Sequence, residues 1–199
     1  MTRDSGRNFA RARIAHLAAR LMAEDGIEDH ALAKRKAARQ AGFANMRQLP
    51  DNDEIDAALK LYRELYQQEH PARLRELRQL ALEVMDGLAR FNPFLTGSVL
   101  RGNAGKYADI HLQLFTDNAK SVEFHLLDDD IGFRSSETRL YVGDTLLIAP
   151  VLSFSRDGID IHLTLLQQRA LRCQLKASAG GRPIERAKRE AVAALLAAQ

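Results

Sequence analysis

The chain has 199 residues, 46% of them hydrophobic and 28% charged, with a formal net charge of +3. Those proportions are those of an ordinary globular chain, and disorder is not the default expectation. No apolar run approaches the roughly 18 residues of a membrane span, and the basic N-terminus leads into no signal-peptide core, so a soluble cytoplasmic protein is expected.

The length suits one substantial core, or a compact domain with a smaller helical one. Cys173 is the only cysteine. An internal disulfide and cysteine-based zinc motifs are therefore excluded, and catalysis falls to other residues.

The first half reads as helical. Ile14, Leu17, Ala18, Leu21 and Met22 recur at helical spacing up to Asp25-Gly26. A short Ala/Lys-rich helix follows and stops near Gly42. Asp51-Asn-Asp-Glu54 has the form of a capping box, with Leu49 and Ile55 placed to staple the helix start. Ile55, Leu59, Tyr62 and Tyr66 continue that helix's apolar face. Pro71 suits a first helical turn, and Leu74, Leu77, Ala81, Val84, Leu88 and Phe91 trace a stripe to the break at Asn92-Pro93.

After Pro93 the period changes. Phe94 to Val99 and Ala108 to Phe115 are strand candidates, the second with Ile110, Leu112 and Leu114 on one side. Thr116-Asp117 can cap a helix through about Leu127. Ile131 to Ser135, Thr138 to Val142 and Ile148 to Ser155 read as strands, and Asp157-Gly158 is a tight-hairpin signal leading into Ile159 to Leu165. A last helix is expected over about Ile184 to Ala198. The fold class is α+β, a helical region over residues 1–92 followed by a mixed-sheet domain over 93–199.

Two strands carry the same tripeptide, Asp109-Ile110-His111 and Asp160-Ile161-His162. Side chains two apart share a strand face, so each projects an aspartate and a histidine together. If the strands are neighbours, four metal-ligand candidates converge; otherwise they are the wet face of a half-exposed sheet. Before the first tripeptide, Gly97-Ser98 lets a phosphate approach backbone N–H groups, the Ser98 hydroxyl adds a donor, and Arg101 and Lys106 supply positive charge. Gly102 keeps the turn tight.

This stretch resembles the DNA polymerase β-like nucleotidyltransferase superfamily, in its minimal and divergent form. The shared elements are Gly97-Ser98, Gly102 four residues after the serine, Asp109 eleven residues after it, and a later strand reading Ile159-Asp160-Ile161. They span about residues 92 to 166 and leave the helical half unaddressed. The resemblance implies transfer of a nucleoside monophosphate from a nucleoside triphosphate at a two-metal site, to an acceptor that could be RNA, protein or a small molecule. Asp109 would bridge the ions, Asp160 would bind one and act as base, and Gly97 and Ser98 would hold the triphosphate.

His111 departs from the pattern, standing where the family has a second carboxylate. A neutral nitrogen weakens a magnesium site and suits manganese, zinc or another transition ion. Two readings stay open: a working variant with Asp109, His111, Asp160 and His162 around the metal, or an inactive fold kept for binding nucleotide, nucleic acid or protein. The helical half is a candidate for binding substrate, covering the site or pairing with a second copy. The basic clusters Lys34-Arg35-Lys36 with Arg39, and Arg182, Arg186, Lys188 and Arg189, are compatible with RNA without requiring it.

Overall fold

The computed structural model describes residues 2–25, 27, 29–43, 49–67, 69–105 and 107–198. Gly26 and Lys106 lie outside them. The protein is α+β, with helices first, and its contacts divide it into Met1–Arg73 with Gly105–Tyr107, and Leu74–Ala104 with Ala108–Gln199.

The first unit holds α1 (Thr2–Glu24), α2 (His30–Gln40) and α3 (Asn52–Tyr66). Ile14, Ala18, Leu21 and Met22 of α1 bury against Ala33 and Ala37 of α2 and Ile55 and Leu59 of α3. The alanines let α2 lie close to its neighbours. The capping box is formed: the Glu54 amide donates to Asp51, and the Asp51 amide donates to the Glu54 carboxylate. Arg11 then ties α1 to this helix start, its Nε 2.7 Å from Glu54 Oε1.

Tyr66 is a correction. Expected on the buried face of α3, it is 71% exposed. Tyr62 donates its hydroxyl to Glu24 at the surface, and Tyr66 lies against the Tyr62 ring at 4.8 Å instead of entering the core. A phenol with one wet end settles at such a boundary.

The second unit begins within α4 (His70–Gly87), so the stripe from Leu74 to Phe91 belongs with the sheet rather than with the preceding helices. A short 3-10 turn, Ala89–Phe91, leads to β1 (Pro93–Thr96), α5 (Gly97–Arg101), β2 (Ile110–Phe115) and α6 (Ala119–Asp128). Then come β3 (Arg134–Val142), β4 (Thr145–Arg156), β5 (Ile159–Leu166), β6 (Leu175–Lys176), β7 (Arg186–Ala187) and α7 (Arg189–Ala197). The sheet order is β6-β3-β4-β5-β2-β1-β7. β2 and β5 are parallel, and the other neighbours are antiparallel. Ile110, Leu112, Leu114, Ile161, Leu163 and Leu165 face a core shared with Leu77, Ala81 and Met85 of α4, Val122 and Leu126 of α6, and Val192 of α7.

Several element expectations are corrected. Residues 97–101 form a helix rather than extending the strand to Val99, because Gly97 at φ +77° turns the chain out of β1. The two strands expected over 131–142 are one, β3, starting at Arg134. Asn118 rather than Thr116-Asp117 caps α6, accepting from the Ser121 amide. The last helix starts at Arg189 because Arg186 and Ala187 pair with Thr96 and Leu95. Among the described residues no helix is long and apolar enough to cross a membrane.

Arg78, buried in the apolar stripe of α4, holds α5 in place. Its Nε donates to the Val99 carbonyl at 3.2 Å and its Nη2 to the Leu100 carbonyl at 3.1 Å. These carbonyls end a short helix and have no partner within it. Burial lowers the Arg78 pKa, as expected for a cation taken from water with only dipoles around it. Arg78→Met, which keeps the stem and removes the donors, is expected to lower stability by about 2 kcal/mol. Amide exchange across residues 97–103 should accelerate more than in β2 or β5; equal protection in wild type and variant would refute the anchoring.

Candidate metal centre

The polar face of the sheet is built by register. β2 and β5 pair in parallel with Ile110 opposite Ile161 and His111 opposite His162. Both isoleucines point into the core, so both histidines emerge on the opposite face, their rings stacked at 4.9 Å and inclined by 20°. Asp109 precedes β2, and its Oδ2 lies 3.2 Å from His162 Nε2. Asp109, His111 and His162 each offer a ligand atom, all within 4.8 Å of one another.

One of these separations has the spacing of two ligands on a single ion. Metal bonds of about 2.0–2.2 Å to nitrogen and oxygen, set at tetrahedral angles, leave neighbouring ligand atoms about 3.3 Å apart. The Asp109–His162 spacing meets that value. One carboxylate with two imidazoles favours a borderline transition ion over magnesium, which prefers oxygen.

Ser153 supports the centre. The Asp157-Gly158 turn, with both residues at positive φ, joins β4 to β5 so that Ser153 faces His162. Ser153 Oγ lies 2.8 Å from His162 Nδ1. With a proton on Nε2, His162 donates to Asp109 and accepts from the serine hydroxyl. Were His162 to hold a metal at Nε2, its proton would sit on Nδ1 and the Ser153 hydroxyl would accept it, the usual support for a ligating histidine.

No family model matches this chain, nor does any curated protein or solved structure. The chemistry of the centre therefore rests on its own residues.

The remaining sequence candidates are distributed as follows. Gly97 abuts the centre: a Cβ built there would lie 3.4 Å from His111 Cδ2, and φ +77° already disfavours any side chain. Ser98, partly exposed, follows it at the first turn of α5, and its hydroxyl makes no hydrogen bond among the described residues. Gly102, at φ +80°, ends α5, its amide donating to the Ser98 carbonyl. Arg101 is exposed in the last turn of α5, and no described contact joins it to Asp109 or the histidines. Lys106 lies outside the described residues. Asp160 shares the face of His162 two residues earlier, opposite Ser155, and is not among the three residues whose ligand atoms converge.

Of the other titratable groups, His125 donates from Nε2 to the Gly87 carbonyl at 2.9 Å and braces α6 against the end of α4. Part of the C-terminal basic cluster is structural. Arg186 donates to the Leu171 and Cys173 carbonyls and lies over the Phe94 and Phe115 rings, while Arg189 pairs with Asp86.

Burial lowers the His111 pKa, and the neighbouring His162 lowers it further, against a smaller opposing pull from Asp109. His111 is therefore neutral near pH 7, as a metal ligand must be. Below about 6.5 the unfolded chain takes up a proton that folded His111 still refuses, so stability rises with pH through this window and is lost as pH falls. In metal-free protein, thermal unfolding between pH 7 and 5 should show a smaller loss for His111→Gln than for wild type; parallel losses would refute this linkage.

Proposed function

We propose that the second unit is a metal-dependent nucleotidyltransferase, moving a nucleoside monophosphate from a nucleoside triphosphate to an acceptor hydroxyl. The observation that carries this reading is the contact between the Gly97 turn and His111. A bare-backbone turn suited to phosphate adjoins a three-ligand centre suited to a cation. The order of parts supports it: β1, the glycine turn, β2 with Asp109, and a parallel β5 with Asp160 and His162.

Asp109, His111 and His162 would hold one divalent ion, manganese or zinc in preference to magnesium. When bound, that ion neutralises charge on the triphosphate and on the pyrophosphate leaving group. Gly97 and the Ser98 hydroxyl would receive phosphate oxygens. Asp160 would take the proton of the acceptor hydroxyl as its oxygen bonds to the α-phosphorus and the bond to pyrophosphate breaks.

The alternative is a module that binds metal or nucleotide without transfer. It is favoured by one feature, the absence of Asp160 from the converging ligands. Thermal unfolding of wild type and Asp109→Asn, with nucleoside triphosphates and magnesium, manganese or zinc, separates these readings. Ligand at about 100 times its dissociation constant adds about 2.7 kcal/mol, a shift of several degrees. The expected result is a nucleotide shift that needs manganese or zinc and disappears in Asp109→Asn, with pyrophosphate released once an acceptor is supplied. A metal shift with no nucleotide shift would overturn the transferase reading and leave the binding module.

A further inference from the structure

The first unit carries a groove between α1 and α3, about 660 Å³ in volume, whose two walls differ in chemistry. On the α1 side stand Arg13, His16 and Arg20, at i, i+3 and i+7 and so along one stripe. On the α3 side stand Leu65, Tyr62 and Tyr66, with Leu65 61% and Tyr66 71% exposed. Arg13 and His16 are exposed and make no ion pair or hydrogen bond among the described residues. Arg20 is shared with Glu24 at 3.4 Å, and the same carboxylate fixes Tyr62 by accepting its hydroxyl.

Leu17 on the α1 wall and Leu61 with Leu65 on the α3 wall offer apolar contact to a protein helix, but its apolar face would leave Arg13 and Arg20 without an anion. A small anion would use one guanidinium and leave the tyrosines idle. A strand of nucleotides uses both walls: phosphates on the cations and a base on the ring. Arg13 and Arg20 are separated by about 10 Å along the helix, a spacing for different phosphates of one strand. The Tyr66 ring is held by the anchored Tyr62, which makes it a preset stacking platform. Gln40, from the end of α2, and His16 can both donate and accept and make no side-chain hydrogen bond among the described residues, which suits a ribose 2′-hydroxyl.

We infer that this groove binds single-stranded RNA, with Tyr66 stacking on a base and Arg13 and Arg20 on the flanking phosphates. The inference rests on the first unit alone and is independent of the metal centre.

The test is fluorescence anisotropy of a labelled oligouridylate with the whole chain, compared across salt concentrations. Tyr66→Ala should weaken binding by about 5- to 150-fold, the range for loss of one stacked base. Arg13→Gln should weaken it too, and lower the slope of log affinity against log salt by about 0.7, the loss of one phosphate contact. Both side chains are exposed, so unfolding temperatures should match wild type, and Asp109→Asn should bind as wild type does. Oligothymidylate should bind more weakly. No binding by wild type, unchanged binding by both groove variants, or equal affinity for oligothymidylate would overturn the inference.

Discussion

The parallel pairing of β2 and β5 governs the second unit. Strands in parallel cannot be joined by a tight turn, so a longer connection must carry the chain from β2 to β5, here α6 followed by β3 and β4 of the same sheet. The pairing sets His111 beside His162 while their neighbours Ile110 and Ile161 enter the core. A shift of one residue would exchange those roles, driving imidazoles into hydrocarbon and isoleucines into water. Core burial therefore holds His111 and His162 in register, and the cluster needs no separate device to align its two strands.

Around that pairing, positions are held by polar groups of modest number. Arg78 fixes α5 from beneath, Gly97 lets the turn close over His111, and Ser153 directs His162. The sites of the two units differ in kind. The cluster of Asp109, His111 and His162 is half-buried and set by paired strands, where side-chain positions are tightly held. The α1–α3 groove is open, and its cations and rings stand on helices whose packing is done by other residues, Ile14, Ala18, Ile55 and Leu59 among them.

Much of this was legible in the residues. The Asp-Ile-His repeats announced a shared face because strand alternation is strict, and Asp157-Gly158 marked its hairpin. That hairpin also carried a signal that went unread: counting back from a two-residue turn pairs Arg156 with Ile159 and hence Ser153 with His162. Arg78 was hidden, since one arginine within a leucine stripe reads as solvated until its carbonyl partners are known. Tyr66 misled for the opposite reason. Its spacing is that of a core residue, but periodicity registers hydrophobic positions and not where the neighbouring surface ends. The late start of α7 was likewise invisible, because Arg186-Ala187 becomes a strand only through β1.

The two hairpins of the sheet differ in what length changes they can absorb. At Gly143-Asp144, between β3 and β4, extra residues would extend a loop at the far end of strands that contribute no side chain to the cluster of Asp109, His111 and His162. At Asp157-Gly158 they would alter the offset between β4 and β5 and carry Ser153 away from His162. The first turn can therefore take up added length without touching the histidines, whereas the second keeps the Ser153 hydroxyl on His162 at its present two residues.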